Sequence, residues 1–320
     1  FPGCTRSVCL PTILPVNTGN TMRIGLIGTG VMGKPMARNL LKARYPVAVY
    51  NRTLAKAESL AADGAVVLDS PAEVARRSDV VITIVSDTPD VREVILGSRG
   101  VREGLAPGGV VIDMSTISPQ ATREIAAALE EAGIDMLDAP VSGGEKGAVE
   151  GTLSIMVGGK REVFERCRPV LEAMGKKLVY CGGHGQGQIV KLCNQIAAAG
   201  ALLAAAEAVT FARKAGVDPL TMIEAVGAGA AGSWMINNLG PRMATHDFAP
   251  GFMVKLQQKD LRIVLGAAAE LGVSLPGAAL VNQLFTAIEA EGDGDLGTQA
   301  LVRVLERLSG GEMAPFAPPE

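Results

Sequence analysis

The chain has 320 residues, 48% of them hydrophobic, and a formal net charge of −3. That length and apolar content can bury a sizeable core and suggest two domains rather than one. Scattered Lys and Arg and only 3% aromatic residues argue against the basic stripe and stacking surface of a nucleic-acid binder.

In chain order, residues 1–21 hold no acid and no helical or strand periodicity, and read as an extension outside the fold. From Met22 short β-branched runs alternate with helical segments. The runs are RIGLIG (23–28), VAVYN (47–51), AVVLD (65–69), VVITIV (80–85), GVVIDM (109–114) and IDMLDAP (134–140). Such runs separated by helices predict a doubly wound parallel sheet, an α/β domain spanning 22–185. LSIMVGG (153–159) and KLVYCG (177–182) extend it.

Past the GGHGQG stretch the character changes. Residues 187–215 lack Pro, are rich in Ala and Leu, and stop at Gly216, after which Asp218-Pro219 supplies a cap and first turn. This predicts a helix more than about 40 Å long, the spine of an all-helical second domain over 186–310. Its most apolar part, Ile196 to Ala206, ends at Glu207, short of the roughly 20 residues of a membrane span, and reads as buried. Residues 311–320 form a tail, with PFAPPE expected to lack structure. Cys4, Cys9, Cys167, Cys181 and Cys193 have no metal-ligand spacing and suit a reducing compartment as small buried hydrophobes. His184 and His246 join no ligand cluster, so no metal is expected.

GTGVMG places Gly28, Gly30 and Gly33 in G-x-G-x-x-G spacing, with Thr29, Val31 and Met32 between them, directly after a strand and opening a helix. Glycines there permit the tight turn, close approach of a pyrophosphate and helix–strand packing, the Rossmann-type dinucleotide site. Asn51-Arg52-Thr53 ends the second strand, where an NAD site carries an acid. A guanidinium pairs with a 2′-phosphate that a carboxylate would repel, so NADP(H) is expected over NAD(H), although Arg52 also fits a solvated surface cation.

Two further stretches carry chemistry. In DAPVSGG, Ser142, Gly143 and Gly144 can present a hydroxyl and backbone N–H groups to a carboxylate, and also fit a plain glycine-rich turn. In GQIVKLCNQ, Lys191, Asn194 and Gln195 project from one helix face. A Lys there is ordinarily a solvated charge. Beside two amides at a domain junction it also fits a desolvated Lys that exchanges a proton.

These motifs, with DMSTISP and FAPGFMVKLQQKDL, make the chain resemble the β-hydroxyacid (3-hydroxyisobutyrate) dehydrogenases from about Met22 to Leu308. Within that family GKPM, IDMLDAPVSGGE, AAGS and DFAPGF look most like the tartronate semialdehyde reductases. The resemblance implies Lys191 as catalytic acid/base with Asn194 beside it, and Ser142, Gly143 and Gly144 on the substrate carboxylate. It also implies Thr116, Val85 and Ser86 against the cofactor, and Lys259 of the Lys259–Asp260 pair reaching the site. Gly297-Thr298-Gln299-Ala300 departs from the Asp-x-Ser-Ala of many relatives. The expected reaction is NADPH-dependent reduction of a small semialdehyde acid by a homodimer or homotetramer. No nucleic acid or membrane partner is expected. The expected location is the cytoplasm, or an organelle if residues 1–21 are a targeting remnant. Alternatives are 3-hydroxyisobutyrate dehydrogenase, a glyoxylate/succinic semialdehyde reductase, and a nucleotide-binding interaction module without turnover.

Overall fold

The computed structural model describes residues 22–317. The sequence-predicted runs form β1 (Ile24–Ile27), β2 (Val47–Tyr50), β3 (Val66–Val67), β4 (Val80–Thr83), β5 (Val110–Asp113) and β6 (Asp135–Asp138). They lie parallel in the order β3-β2-β1-β4-β5-β6. Both faces are buried, and alternate residues divide between them. Leu26, Val49, Ile82 and Ile112 join one core, and Ile27, Ala48, Val81 and Val111 the other. Helix α1 (Gly33–Lys42) covers the first face, with α2 (Leu54–Glu58) at its margin; α3 (Pro71–Arg76), α4 (Thr88–Leu96) and α5 (Pro119–Glu130) cover the second.

The sheet is not parallel throughout. After β6 come β7 (Val141–Ser142), α6 (Gly144–Glu150) and β8 (Leu153–Gly159), which pairs antiparallel with both β6 and β7. The connection from β6 to β8 turns back through the Ser142–Gly144 corner, without the crossover that a parallel neighbour needs. Pro140 cannot donate to the ladder, but its carbonyl accepts from Met156 N at 3.0 Å. Then α7 (Arg161–Glu172) returns the chain to β9 (Gly175–Gly182), parallel to β8.

The long helix α8 (Gln186–Lys214) has 29 residues, about 43 Å at roughly 1.5 Å per residue. It ends before Gly216, and Asp218 caps α9 (Pro219–Gly227) by accepting from Leu220 N at 2.8 Å. Around α8 pack α10 (Trp234–Ala244), α11 (Val254–Leu271), α12 (Pro276–Ala290) and α13 (Leu301–Leu308), burying Leu202, Val209, Val264, Phe285 and Leu301 in one apolar cluster.

Three expectations change. By length and composition α8 could cross a membrane, yet one side is built into this core while Val190, Cys193, Ala197, Gly200, Ala204 and Phe211 stay exposed. The helix is therefore half-buried, not buried. Of the described cysteines only Cys167 is fully buried, Cys193 being exposed; Cys4 and Cys9 lie outside the described residues, as does the rest of the 1–21 extension. The tail is ordered through its described part: Phe316 N donates to Ala244 O at 2.9 Å, and Arg213 holds the Ala314 carbonyl.

Candidate active site

One cleft of about 1610 Å³ runs between the carboxyl ends of the strands and the helical half. Small-ligand pockets span about 300–1,000 Å³, so there is room for a dinucleotide and a small acid together. At its floor the β1–α1 turn is shaped by backbone proximity. A Cβ on Gly33 would lie 1.8 Å from Gly28 O, and one on Gly28, at φ +98°, would lie 2.2 Å from Ile84 O. Gly30 faces open space. Met32 supplies no side-chain cap to α1, Lys34 N donates to Gly30 O at 3.1 Å, Met36 N donates to Met32 O at 3.3 Å and Pro35 has no N–H, so among the described residues the Gly33 N–H at the head of the helix is left for an anion. The cradle therefore fits a dinucleotide pyrophosphate.

Val31, Met32, Asn51, Arg52, Thr53, Val85, Ser86 and Thr116 also line the cleft. Thr29 is the exception: it is buried, and its N–H donates to Asn51 Oδ1 at 2.9 Å, pinning β2 to the turn. Arg52 is 87% exposed and lies 3.3 Å from Asp90 Oδ1.

Across the cleft, Lys191, Asn194 and Gln195 line the α8 wall, with Lys259 and Asp260 from α11. Lys191 is only 7% exposed. Burial pushes its ammonium down to about 8, with Lys259 adding to the effect and Asp260 opposing it. Lys259 is committed elsewhere, its Nζ donating to Thr116 O at 2.7 Å and ion-paired with Asp260 Oδ1 at 2.7 Å. Asn194 Nδ2 does not turn to Lys191; it donates to Gln195 Oε1 at 2.8 Å, and Gln195 Nε2 donates to Asp260 Oδ2 at 2.6 Å. A polar chain thus runs from Asn194 to Thr116 and ties the helical wall to the loop after β5. The arrangement leaves one buried, proton-poised amine facing a cofactor cradle. Ser142, Gly143 (φ +135°) and Gly144 (φ +61°) complete the lining at the β7–α6 corner.

Three positioning residues have no sequence signal beyond being polar in apolar surroundings. Asp138, fully buried at the end of β6, accepts from Gly185 N at 2.8 Å and Gln188 N at 3.0 Å, capping α8. Gln188 accepts from Ile117 N at 3.2 Å and donates to Ser115 O at 2.9 Å, which clamps the Thr116 loop to α8. Asp113 accepts from Thr83 Oγ1 and Ser115 N, and burial pushes its carboxyl up to about 6. Among the described residues no three His, Cys, Asp or Glu side chains converge as a metal site.

The NAD binding domain of 6-phosphogluconate dehydrogenase, as a family model, matches residues 23–183. The NAD-binding of NADP-dependent 3-hydroxyisobutyrate dehydrogenase matches residues 185–305. Fold and matches together define an NAD(P)-dependent oxidoreductase acting on a hydroxyl group. The chain is 43% identical over 294 residues to 2-hydroxy-3-oxopropionate reductase of Escherichia coli, covering 92% of this chain and 100% of that one. It is 47% identical over 306 residues to a probable 3-hydroxyisobutyrate dehydrogenase-like mitochondrial protein of Arabidopsis thaliana, covering 95% and 91%. Mycobacterium tuberculosis 3-hydroxyisobutyrate dehydrogenase, solved with L-serine, superposes with a TM-score of 0.82 at 34% identity, covering 89% of this chain and 99% of that one. The chain belongs to the 3-hydroxyisobutyrate dehydrogenase family, the hydroxyacid dehydrogenases that use a nicotinamide cofactor.

Proposed function

We propose that the protein reduces 2-hydroxy-3-oxopropionate (tartronate semialdehyde) to glycerate with NADPH, Lys191 acting as general acid. The observation that carries this is a buried Lys191, its ammonium pushed down to about 8, in the same cleft as the glycine cradle and the Ser142 corner. The likeness to the Escherichia coli reductase supports the choice of substrate. Residues 22–185 serve as the cofactor domain and 186–310 as the substrate and assembly domain.

A dinucleotide held by its pyrophosphate at the Gly28–Gly33 turn would supply, from its nicotinamide, the hydride for the carbonyl carbon. Lys191 as ammonium gives a proton to the oxygen that becomes the alkoxide; in the reverse direction the neutral amine takes it back. Ser142 Oγ and the N–H groups of Gly143 and Gly144 hold the carboxylate, and Asn194 and Gln195 border the reacting end. Held at both ends, the acid keeps its carbonyl carbon in one place. Consumption of NADPH on adding 2-hydroxy-3-oxopropionate tests the reading, and no consumption with any small semialdehyde acid overturns it.

Arg52 supports NADPH over NADH. Its guanidinium is free to meet a 2′-phosphate apart from the Asp90 contact at an exposed position, which is worth little. Arg52→Asp is expected to weaken NADPH binding by about 5- to 100-fold, the scale of one or two charge-assisted hydrogen bonds. Cofactor titration measures this, and a wild type that bound NADH more tightly than NADPH would reverse the assignment.

Assembly is proposed from the half-exposed spine. The Val190–Phe211 stripe on α8 offers an apolar face that the described residues do not cover, so a homodimer or homotetramer is expected. Light scattering at micromolar concentration should give a multiple of the chain mass; the mass of a single chain would contradict it. A reducing compartment, most simply the cytoplasm, is proposed from the free thiols of Cys167, Cys181 and Cys193.

A further inference from the structure

Two carboxamides in the cleft take no part in the chemistry above. Gln299, 1% exposed, lies in the turn before α13 and lines the cleft. Its Nε2 donates to the carbonyls of Asp247 at 2.8 Å and Ala249 at 3.0 Å. Both N–H bonds are committed, so Oε1, an acceptor, is all this side chain can offer a ligand. Gly297 makes the space: a Cβ there would fall 2.4 Å from that oxygen. The Gly-x-Gln pattern is thus a coupled pair.

Gln257 has the opposite polarity. It is 4% exposed, sits in the first turn of α11 and lines the same cleft. The Asp260 carboxylate only accepts, so Gln195 Nε2 is fixed as the donor, and it also reaches Gln257 Oε1 at 3.4 Å. That turns Gln257 so that Nε2 remains, buried and without a partner among the described residues. A buried donor left unmade is costly and points to a ligand that completes it. The segments that carry the two glutamines meet at the backbone, because Met253, just before α11, bridges to Gly297.

One acceptor and one donor lining the same cleft match a hydroxyl, which donates once and accepts as well; a methyl group does neither. We propose that Gln299 and Gln257 form a subsite that reads a hydroxyl on the carbon beside the reacting carbonyl, selecting hydroxylated semialdehyde acids over alkyl-substituted ones. The proposal rests on the semialdehyde reductase reading and assigns its specificity.

The test compares kcat/KM for 2-hydroxy-3-oxopropionate, 2-methyl-3-oxopropionate and unsubstituted 3-oxopropionate. The wild type should favour the hydroxy acid over the methyl acid by at least about 100-fold, since a site built to pair a hydroxyl rejects its isostere. In Gln257→Leu and Gln299→Leu the ratio of hydroxy to unsubstituted acid should fall by about 10- to 100-fold, the scale of a buried hydrogen bond. Gln299→Leu also releases two loop carbonyls. If it unfolds, Gln257→Leu, which gives up only the 3.4 Å contact, carries the test. An unchanged ratio in Gln257→Leu, or a wild type that takes the methyl acid equally well, overturns the hydroxyl subsite while leaving the reductase reading intact. A wild type that reduces none of the three acids overturns both.

Discussion

Lys191→Ala is expected to lower kcat by about 10²- to 10⁴-fold, the usual worth of a positioned general acid. NADPH affinity should persist, because the glycine cradle and Arg52 lie on the opposite wall of the cleft. Lys191→Arg should not restore turnover: a guanidinium keeps its proton, and its planar fork does not reproduce a point ammonium in a pocket that leaves the side chain 7% exposed. The pH dependence has a definite sign. With the amine pushed down to about 8, reduction needs the protonated form and should decline as pH rises through that region. Oxidation needs the neutral form and should rise over the same interval. Stopped-flow rates in both directions across pH 6.5 to 9.5, about a unit and a half either side, measure both limbs. Near-wild-type turnover in Lys191→Ala would move the proton donor elsewhere. The next candidate would be Lys259, although its ammonium is already held by Thr116 O and Asp260.

The sheet was legible because alternate residues of β1, β2, β4 and β5 are apolar on both faces, a pattern that few other architectures produce. The burial of Lys191 was legible as one of two readings, because Asn194 and Gln195 share its helix face at a domain junction. The reversal at β8 was not, since apolar runs carry no direction. The chain turns back at the corner at Gly143 and Gly144, where β7 already pairs antiparallel with β8. The half-exposure of α8 escaped for a related reason: Ala and Gly read as core by hydropathy, yet small side chains serve equally on an open face. The Asn194–Gln195–Asp260–Lys259–Thr116 chain was invisible because its two long links, Gln195–Asp260 and Lys259–Thr116, join residues 65 and 143 positions apart. Local spacing reports which side chains share a helix face. It does not report which amide turns to which neighbour, and Asn194 turned to Gln195.

Asp138→Ala is expected to lower the melting temperature by about 5–15 °C, because it strips the cap from the helix that carries Lys191. The carboxylate is fully buried and accepts from two backbone N–H groups, Gly185 at 2.8 Å and Gln188 at 3.0 Å. Two buried donors left unmade cost about 1–3 kcal/mol each, and a chain of this size shifts by roughly 2–4 °C per kcal/mol. The surroundings allow no easy substitute. A Cβ on Gly158 would fall 2.6 Å from Asp138 Oδ1, so that glycine admits the carboxylate, while one on Gly187 would meet Met156 O at 2.4 Å before Oδ2 at 2.8 Å, so there α8 lies close against the β8 backbone as well. Asp138→Asn keeps the shape but sets its NH₂ against one of the two N–H donors, so it should recover only part of the loss. Activity should fall as well, since Lys191 lies one turn beyond Gln188 and that turn is anchored at Asp138. Differential scanning calorimetry together with kcat at a temperature where both variants are folded separates the two effects. A melting point within about 2 °C of wild type, less than one unmade buried hydrogen bond, would mean that α8 is held by its packing against β8 and not by its cap.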